Sequence, residues 1–204
     1  DFIVRVASFV PQNPPLEFGN DEVCTLGRPC TLNWTGPVRL GSISLAHEYD
    51  TCNDTTRDAI DVPGFDLASL ASVWEGGSFI VGVAMALPGV YRICSSTADV
   101  GALELRGPAA TPFEECTLGE PCVVLVEGVG LGPASRLRVV EGEHCSGAVV
   151  EMSSEAPELA ANGAVALYSF VTTTGVFGQV YTLCWTQDPS LGDFIVRVAS
   201  FVPQ

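Results

Sequence analysis

Hydrophobic and polar positions along the chain alternate in short stretches separated by Gly/Pro clusters, and a period of two is the mark of strands with one buried face. The stretches are Thr31–Thr35, Ile43–Ala46, Phe79–Met85, Val90–Cys94, Val123–Val126, Leu137–Val140, Ala164–Val171 and Val180–Trp185. They are rich in Val, Ile, Thr and aromatics, and their regular spacing predicts an all-β sandwich. One segment, Asp66–Glu75, reads instead as one or two helical turns between strands. Alternation also assigns faces. In Val90-Tyr91-Arg92-Ile93-Cys94, Arg92 should face water, so Cys94 shares the outer face while Tyr91 and Ile93 enter the core. The later stretch repeats this, with Tyr181, Leu183 and Trp185 inward and Thr182 and Cys184 outward. The apolar run Val123–Val126 breaks the rule and predicts a strand covered on both faces, by an interdomain or interfilament contact.

Self-similarity orders these elements. Residues 1–12, DFIVRVASFVPQ, recur identically as residues 193–204. The simplest account is a longer polypeptide with a period of 192 residues, in which 1–12 is the last strand of a preceding repeat. A second, older repeat lies inside the period. Glu22–Cys30 (EVCTLGRPC) returns as Glu114–Cys122 (EECTLGEPC), and Gly89–Cys94 (GVYRIC) matches Gln179–Cys184 (QVYTLC). The period therefore reads as two homologous immunoglobulin-like domains, 13–107 and 108–204, of a size typical for that sandwich. Each final strand runs straight into the Pro that opens the next domain. A joint with almost no linker, stiffened by Pro, predicts a rod.

The 8 Cys fall into two groups of four in the same order. That density suits an oxidising compartment, and four cysteines per domain allow three connectivities. Spacing favours Cys24 with Cys30 across a short turn and Cys52 with Cys94 across a sheet face, then Cys116 with Cys122 and Cys145 with Cys184. Zinc held by four Cys is the rival, but Cys-x5-Cys is longer than the usual knuckle. Two glycosylation sequons, Asn33-Trp34-Thr35 and Asn53-Asp54-Thr55, lie in the first domain, Asn33 on the strand face opposite Leu32. Ser95–Thr97, Thr111-Pro112 and Thr172–Thr174 are candidates for O-linked sugars.

Charge narrows the partners. With 24 Asp+Glu against 9 Lys+Arg, the net charge of −15 repels phosphate backbones and anionic lipid, so neither nucleic acid nor a membrane surface is expected as a partner. All nine cations are Arg, which excludes Lys nucleophiles, Schiff bases and a P-loop lysine. No apolar run is long enough for a transmembrane helix. The start at Asp1-Phe2-Ile3-Val4 carries neither part of a signal peptide and suggests a processed or partial chain. His47 and His144 have no metalloprotease spacing and no positioned partner, and no nucleophile elbow or dinucleotide fingerprint is present, so no catalytic residue is expected. Asp50, Asp54, Asp58 and Asp61 match no calcium loop and read as a solvated acidic segment. The three Trp alternate with apolar neighbours and read as core rather than as a binding platform.

The Cys-Thr-Leu-Gly-x-Pro-Cys run, Gly128-Val129-Gly130-Leu131, the Tyr-x-x-Cys strands and a final strand such as Asp193–Val198 together resemble the cysteine-rich repeats of very large protist surface proteins, which are similar to the IPT/TIG branch of immunoglobulin-like folds. The first domain departs from the pattern by lacking the Gly-x-Gly-Leu run and by a shortened last strand, Val100–Arg106. The resemblance implies a non-catalytic extracellular module, without cofactor apart from covalent glycans, used in long arrays. The expected function is a structural repeat of an extracellular glycosylated filament or surface coat whose partners are identical repeats. An adhesin or glycan-binding array is the alternative.

Overall fold

A computed structural model describes residues 17–18, 22–35, 43–52, 65, 77–95, 98–110, 116–191 and 194–204. Residues 1–12, Asn53, Trp74, the Asp66–Glu75 segment and Asp54, Asp58 and Asp61 lie outside the described residues. The described chain is nearly all β. Its strands are β1 (Glu17–Phe18), β2 (Glu22–Thr25), β3 (Pro29–Thr35), β4 (Ile43–His47), β5 (Gly77–Val83), β6 (Gly89–Ser95) and β7 (Ala98–Pro108). These are followed by β8 (Cys122–Val129), β9 (Arg136–Glu141), β10 (Val149–Ser153), β11 (Glu158–Leu159), β12 (Val165–Phe170), β13 (Tyr181–Thr186) and β14 (Val196–Phe201). A 3-10 turn at Pro189–Leu191 separates the last two.

Three sheets result. One has the order β1-β3-β5, one β10-β9-β13-β14, and the largest β11-β12-β8-β7-β6-β4, with β2 added to β7. All the strand pairings are antiparallel except β2 with β7, where Glu22, Val23, Cys24 and Thr25 align with Leu103 to Arg106 in parallel. The second half shows the same relation in brief: Leu118 N–H donates to Gln204 O at 3.1 Å, as Leu26 N–H donates to Arg106 O at 2.8 Å. Leu32, Leu45, Ile93, Leu103, Leu137, Tyr168, Leu183 and Trp185 are almost fully buried in one apolar cluster that runs from Cys24 to Phe201. Burying each such side chain contributes roughly 1.5–3 kcal/mol.

Three expectations need correction. The last strand of the first half is not short: β7 spans 11 residues. It has ladder partners on both sides, β6 and β2, and β8 at its end, and these support extended backbone through Gly101 and Gly107, where side-chain pattern alone gives no signal. Among the described residues of this chain, β8 is covered on one face. Cys122, Val124 and Val126 point inward, while Val123 and Leu125 are exposed, because β12 lies beside the strand and no layer of described residues lies outside it. The outer face carrying Cys94 and Cys184 is not solvated. Cys94 is buried with Cys52 and Ala46, and Cys184 with Val140, Phe194 and Cys145, in two small apolar clusters separate from the main core. Thr182, also expected outward, is buried and donates to Gly142 O at 2.6 Å, with Ser200 Oγ at 2.9 Å. The facing inferred from alternation is thus kept, and a second layer closes over it.

Candidate functional site

Two features of the surface bear on function: the seam between residues 17–108 and 116–204, and the bridges and sequons around it. The seam begins where β7 enters the second half without a linker. Gly107 pairs with Val129 and Pro108 with Gly128, and Ala109 N–H donates to Glu127 O at 2.8 Å. Glycine lets the backbones meet. A Cβ on Gly128 would stand 2.3 Å from Gly107 O, and one on Gly130 would stand 2.6 Å from Arg106 Cδ.

The turn between β2 and β3 forms the other side of the seam. Gly27 has φ +74°, a conformation that favours glycine, and the space its missing Cβ leaves is filled by Ile195 and Val196 of the second half. Arg28 then reaches across, donating to Asp188 O at 3.1 Å and to Leu191 O at 3.3 Å. Those carbonyls are presented by the 3-10 turn, whose Ser190 donates to the Asp188 carboxylate through both its N–H and its Oγ. These two hydrogen bonds hold the Asp188 carboxyl below its ordinary pKa. Beside the turn, an open apolar cleft of about 560 Å³ lies between Leu26, Met85, Leu87 and Tyr91 on one side and Pro108 and Val196 on the other. His47 stacks on Tyr91 at its edge, with ring centroids 6.1 Å apart.

All eight cysteines are bridged, as Cys24–Cys30, Cys52–Cys94, Cys116–Cys122 and Cys145–Cys184. These are the pairs that spacing singles out. The short bridges tie β2 to β3 in the first half and Cys116, ahead of β8, to Cys122 at the start of β8 in the second, and the long ones clamp a loop onto the outer sheet face. In the second half that clamp is roofed by Phe194, and the Arg138 guanidinium sits 3.9 Å above its ring centroid.

Asn33 is exposed on β3, between the buried neighbours Cys30 and Leu32 on one side and Ser78 across the ladder. Its Nδ2 donates to Glu22 Oε2 at 3.3 Å and its N–H to Glu22 Oε1 at 2.9 Å, while Ser78 Oγ donates to Asn33 Oδ1. A glycan on Nδ2 leaves one amide hydrogen, enough to retain the bond to Glu22. Thr173, one of the hydroxyls considered for O-linked sugar, is buried and donates into the carbonyls of Thr117 and Glu120, so only its exposed neighbours Thr172 and Thr174 are accessible in that trio. Both His47 and His144 are exposed, and among the described residues no group of three His, Cys, Asp or Glu is placed to hold a metal ion. No described helix is long and apolar enough to cross a membrane.

Under the seam the second half carries a buried polar relay that the sequence reading missed. Trp185 Nε1–H donates to Tyr168 OH at 3.0 Å, Tyr168 OH lies 2.7 Å from Ser135 Oγ, and Ser135 Oγ donates to Gly132 O at 2.6 Å. The Ser135 hydrogen is thereby used, so Tyr168 is the donor to Ser135. Burial pushes the Tyr168 phenol above its ordinary pKa of 10.0, partly offset by its hydrogen bonds with Ser135 and Trp185 and by the charge of Arg136. The folded chain therefore holds this proton more tightly than the unfolded chain. Tyr168 leaves stability unchanged below about pH 10 and lowers it as pH rises from there through the folded value. Tyr168→Phe leaves the Trp185 N–H without an acceptor and is expected to cost about 1.5 kcal/mol at pH 7. It should also flatten the alkaline limb of a stability–pH curve, and urea melts at pH 7 and pH 10.5 check both effects.

No protein-family model and no curated protein matches the chain.

Proposed function

We propose that this chain is one period of a structural repeat array, an extracellular glycosylated filament or surface coat built from tandem immunoglobulin-like domains of the IPT/TIG type. The partners are identical repeats, and the module is non-catalytic. The observation that carries the reading is the duplicated dodecapeptide. Its copy at 193–204 supplies β14, the closing strand of the second half, so an identical copy directly before Asn13 has the sequence of a closing strand for another such unit.

The topology supports two sandwiches. Strands β1-β3-β5 against β4-β6-β7, and β11-β12-β8 against β10-β9-β13-β14, follow the division of an immunoglobulin fold into two antiparallel sheets. Each half also pins a tyrosine of its penultimate strand back onto the preceding loop: Tyr91 OH donates to Leu87 O at 2.7 Å, and Tyr181 OH accepts from Val176 N–H at 2.8 Å. That is the tyrosine corner of such sandwiches. Four bridges suit an oxidising, extracellular setting. The linkerless seam makes successive units stiff rather than beaded.

The test is electron microscopy of native material with intact-mass analysis. Continuous rods carrying hexose mass at Asn33 are the expected result. Separate particles of about 21 kDa at every concentration would overturn the filament. Flexible beads retained on immobilised sugars would favour an adhesin instead.

A further inference from the structure

The two halves share a pole, and only one of the two poles is occupied. In the first half the pole consists of Leu26–Arg28, the loop after β5 with Met85 and Leu87, and the end of β7 at Arg106. The second half sits on it. The same backbone bonds recur in the second half. Gly27 N–H donates to Ala84 O at 2.9 Å and Gly119 N–H to Thr173 O at 2.9 Å, and Leu26 N–H donates to Arg106 O as Leu118 N–H does to Gln204 O. Gly119 repeats the positive φ of Gly27, at +84° against +74°. Yet the space over Gly27 holds Ile195 and Val196, whereas nothing lies within 4 Å of a Cβ built on Gly119.

The loop that bonds to Gly119 through Thr173 also exposes two apolar side chains. Val176, the counterpart of Leu87 beside the tyrosine corner, is 61% exposed, and its neighbour Phe177 is 79% exposed. An exposed Phe next to an exposed Val adds apolar surface to this end of an otherwise acidic chain. The element that would fill the seat is also fixed by correspondence. Val196 stands opposite Trp185 and Arg197 opposite Cys184, as Ala98 stands opposite Ser95 and Asp99 opposite Cys94. The counterpart of the seated Val196 is therefore Ala98, which is exposed at the start of β7. Arg28 is replaced by Glu120 at this pole, so the two joints are not interchangeable: the first offers N–H donors to carbonyls, the second offers a carboxylate acceptor.

We propose that the pole formed by Leu118–Glu120, Val176 and Phe177 is a docking surface for the first half of a second copy of this sequence, which seats its Ala98 edge over Gly119. The partner is a second copy because the equivalent seat is filled within this chain by the equivalent edge. Contact between different surfaces of like units propagates instead of closing. The inference rests on the filament reading and adds the surface through which successive periods meet.

Hydrogen exchange on a chain carrying two periods in tandem tests it, since a contact surface is protected only where it is covered. The peptide spanning 171–178 should split into two equal populations, one exchanging as in the single 204-residue chain and one at least tenfold more slowly. Phe177→Asp in the first period, or Ala98→Glu in the second, should return it to one fast population. Both positions are exposed, so neither change should alter the melting of the single chain. One fast population in the unsubstituted tandem chain overturns the docking surface. Micrographs of native material then judge the filament separately: continuous rods would leave that reading standing with its joint elsewhere, and separate particles would remove it.

Discussion

Replacing Cys145 and Cys184 together by Ala is expected to lower the stability of the chain by about 4 kcal/mol, against about 2 kcal/mol for the Cys116/Cys122 pair. The difference follows from loop size. The first bridge closes a sequence separation of 39 residues and the second only 6, and the conformational freedom removed from the unfolded chain grows with the logarithm of the loop. The native state adds to the contrast, because Cys184 is fully buried beneath Phe194 and its loss opens space in a cluster of few residues. In a chain of this size the larger loss should appear as a drop in melting temperature of roughly 10 °C. Parallel guanidinium melts of the two double variants decide the matter, and equal losses would show that loop closure is not what the long bridge contributes.

Gly128→Ala is expected to cost about 3 kcal/mol and to loosen the seam. The added methyl would stand 2.3 Å from Gly107 O, a backbone atom that cannot turn aside, so β7 and β8 must separate where Gly107 pairs with Val129 and Pro108 with Gly128. Gly119→Ala serves as the comparison, since it meets nothing within 4 Å and carries only the penalty of its positive φ, about 1 kcal/mol. Small-angle scattering should show the maximum dimension of the Gly128→Ala chain broadening into a range, with that of Gly119→Ala unchanged. A sharp, unchanged profile for both would mean that the seam is held elsewhere, by Arg28 and the Ile195–Val196 contact over Gly27.

Much of the fold is legible in the sequence because one-sided burial writes itself as alternation. The eight stretches read that way correspond to β3, β4, β5, β6, β8, β9, β12 and β13, with ends displaced by at most three residues. Elements that owe their existence to partners are not written there. Glu17–Phe18 and Glu158–Leu159 are two-residue strands whose only signal is the neighbour they pair with, and β10 shifts register between Val149 and Ser153, which breaks any period. The closure over Cys184 depends on Phe194, which follows the turn at Pro189–Leu191, and on Arg138 of β9. Local pattern can say that a residue faces away from the core but not that something else covers it. At the seam, the shared Cys-Thr-Leu-Gly motif marks both turns equally. Only the folded structure distinguishes Gly27, covered by Ile195 and Val196, from Gly119, over which no described residue lies within 4 Å. The relay from Trp185 through Tyr168 to Ser135 joins two strands and a loop, and no spacing along the chain anticipates it.

The parallel pairing of β2 with β7 determines how such a chain answers to tension. Residue 22 enters this ladder at the end opposite to the one by which residue 106 leaves it, so pulling the two apart along the strand direction loads all four aligned residue pairs in shear. Hydrogen bonds loaded this way must fail together rather than peel open one after another. The same four residues run into the Cys24–Cys30 bridge, which stops slippage from spreading into β3. Each unit would resist a steady pull and give way abruptly, as a latch does.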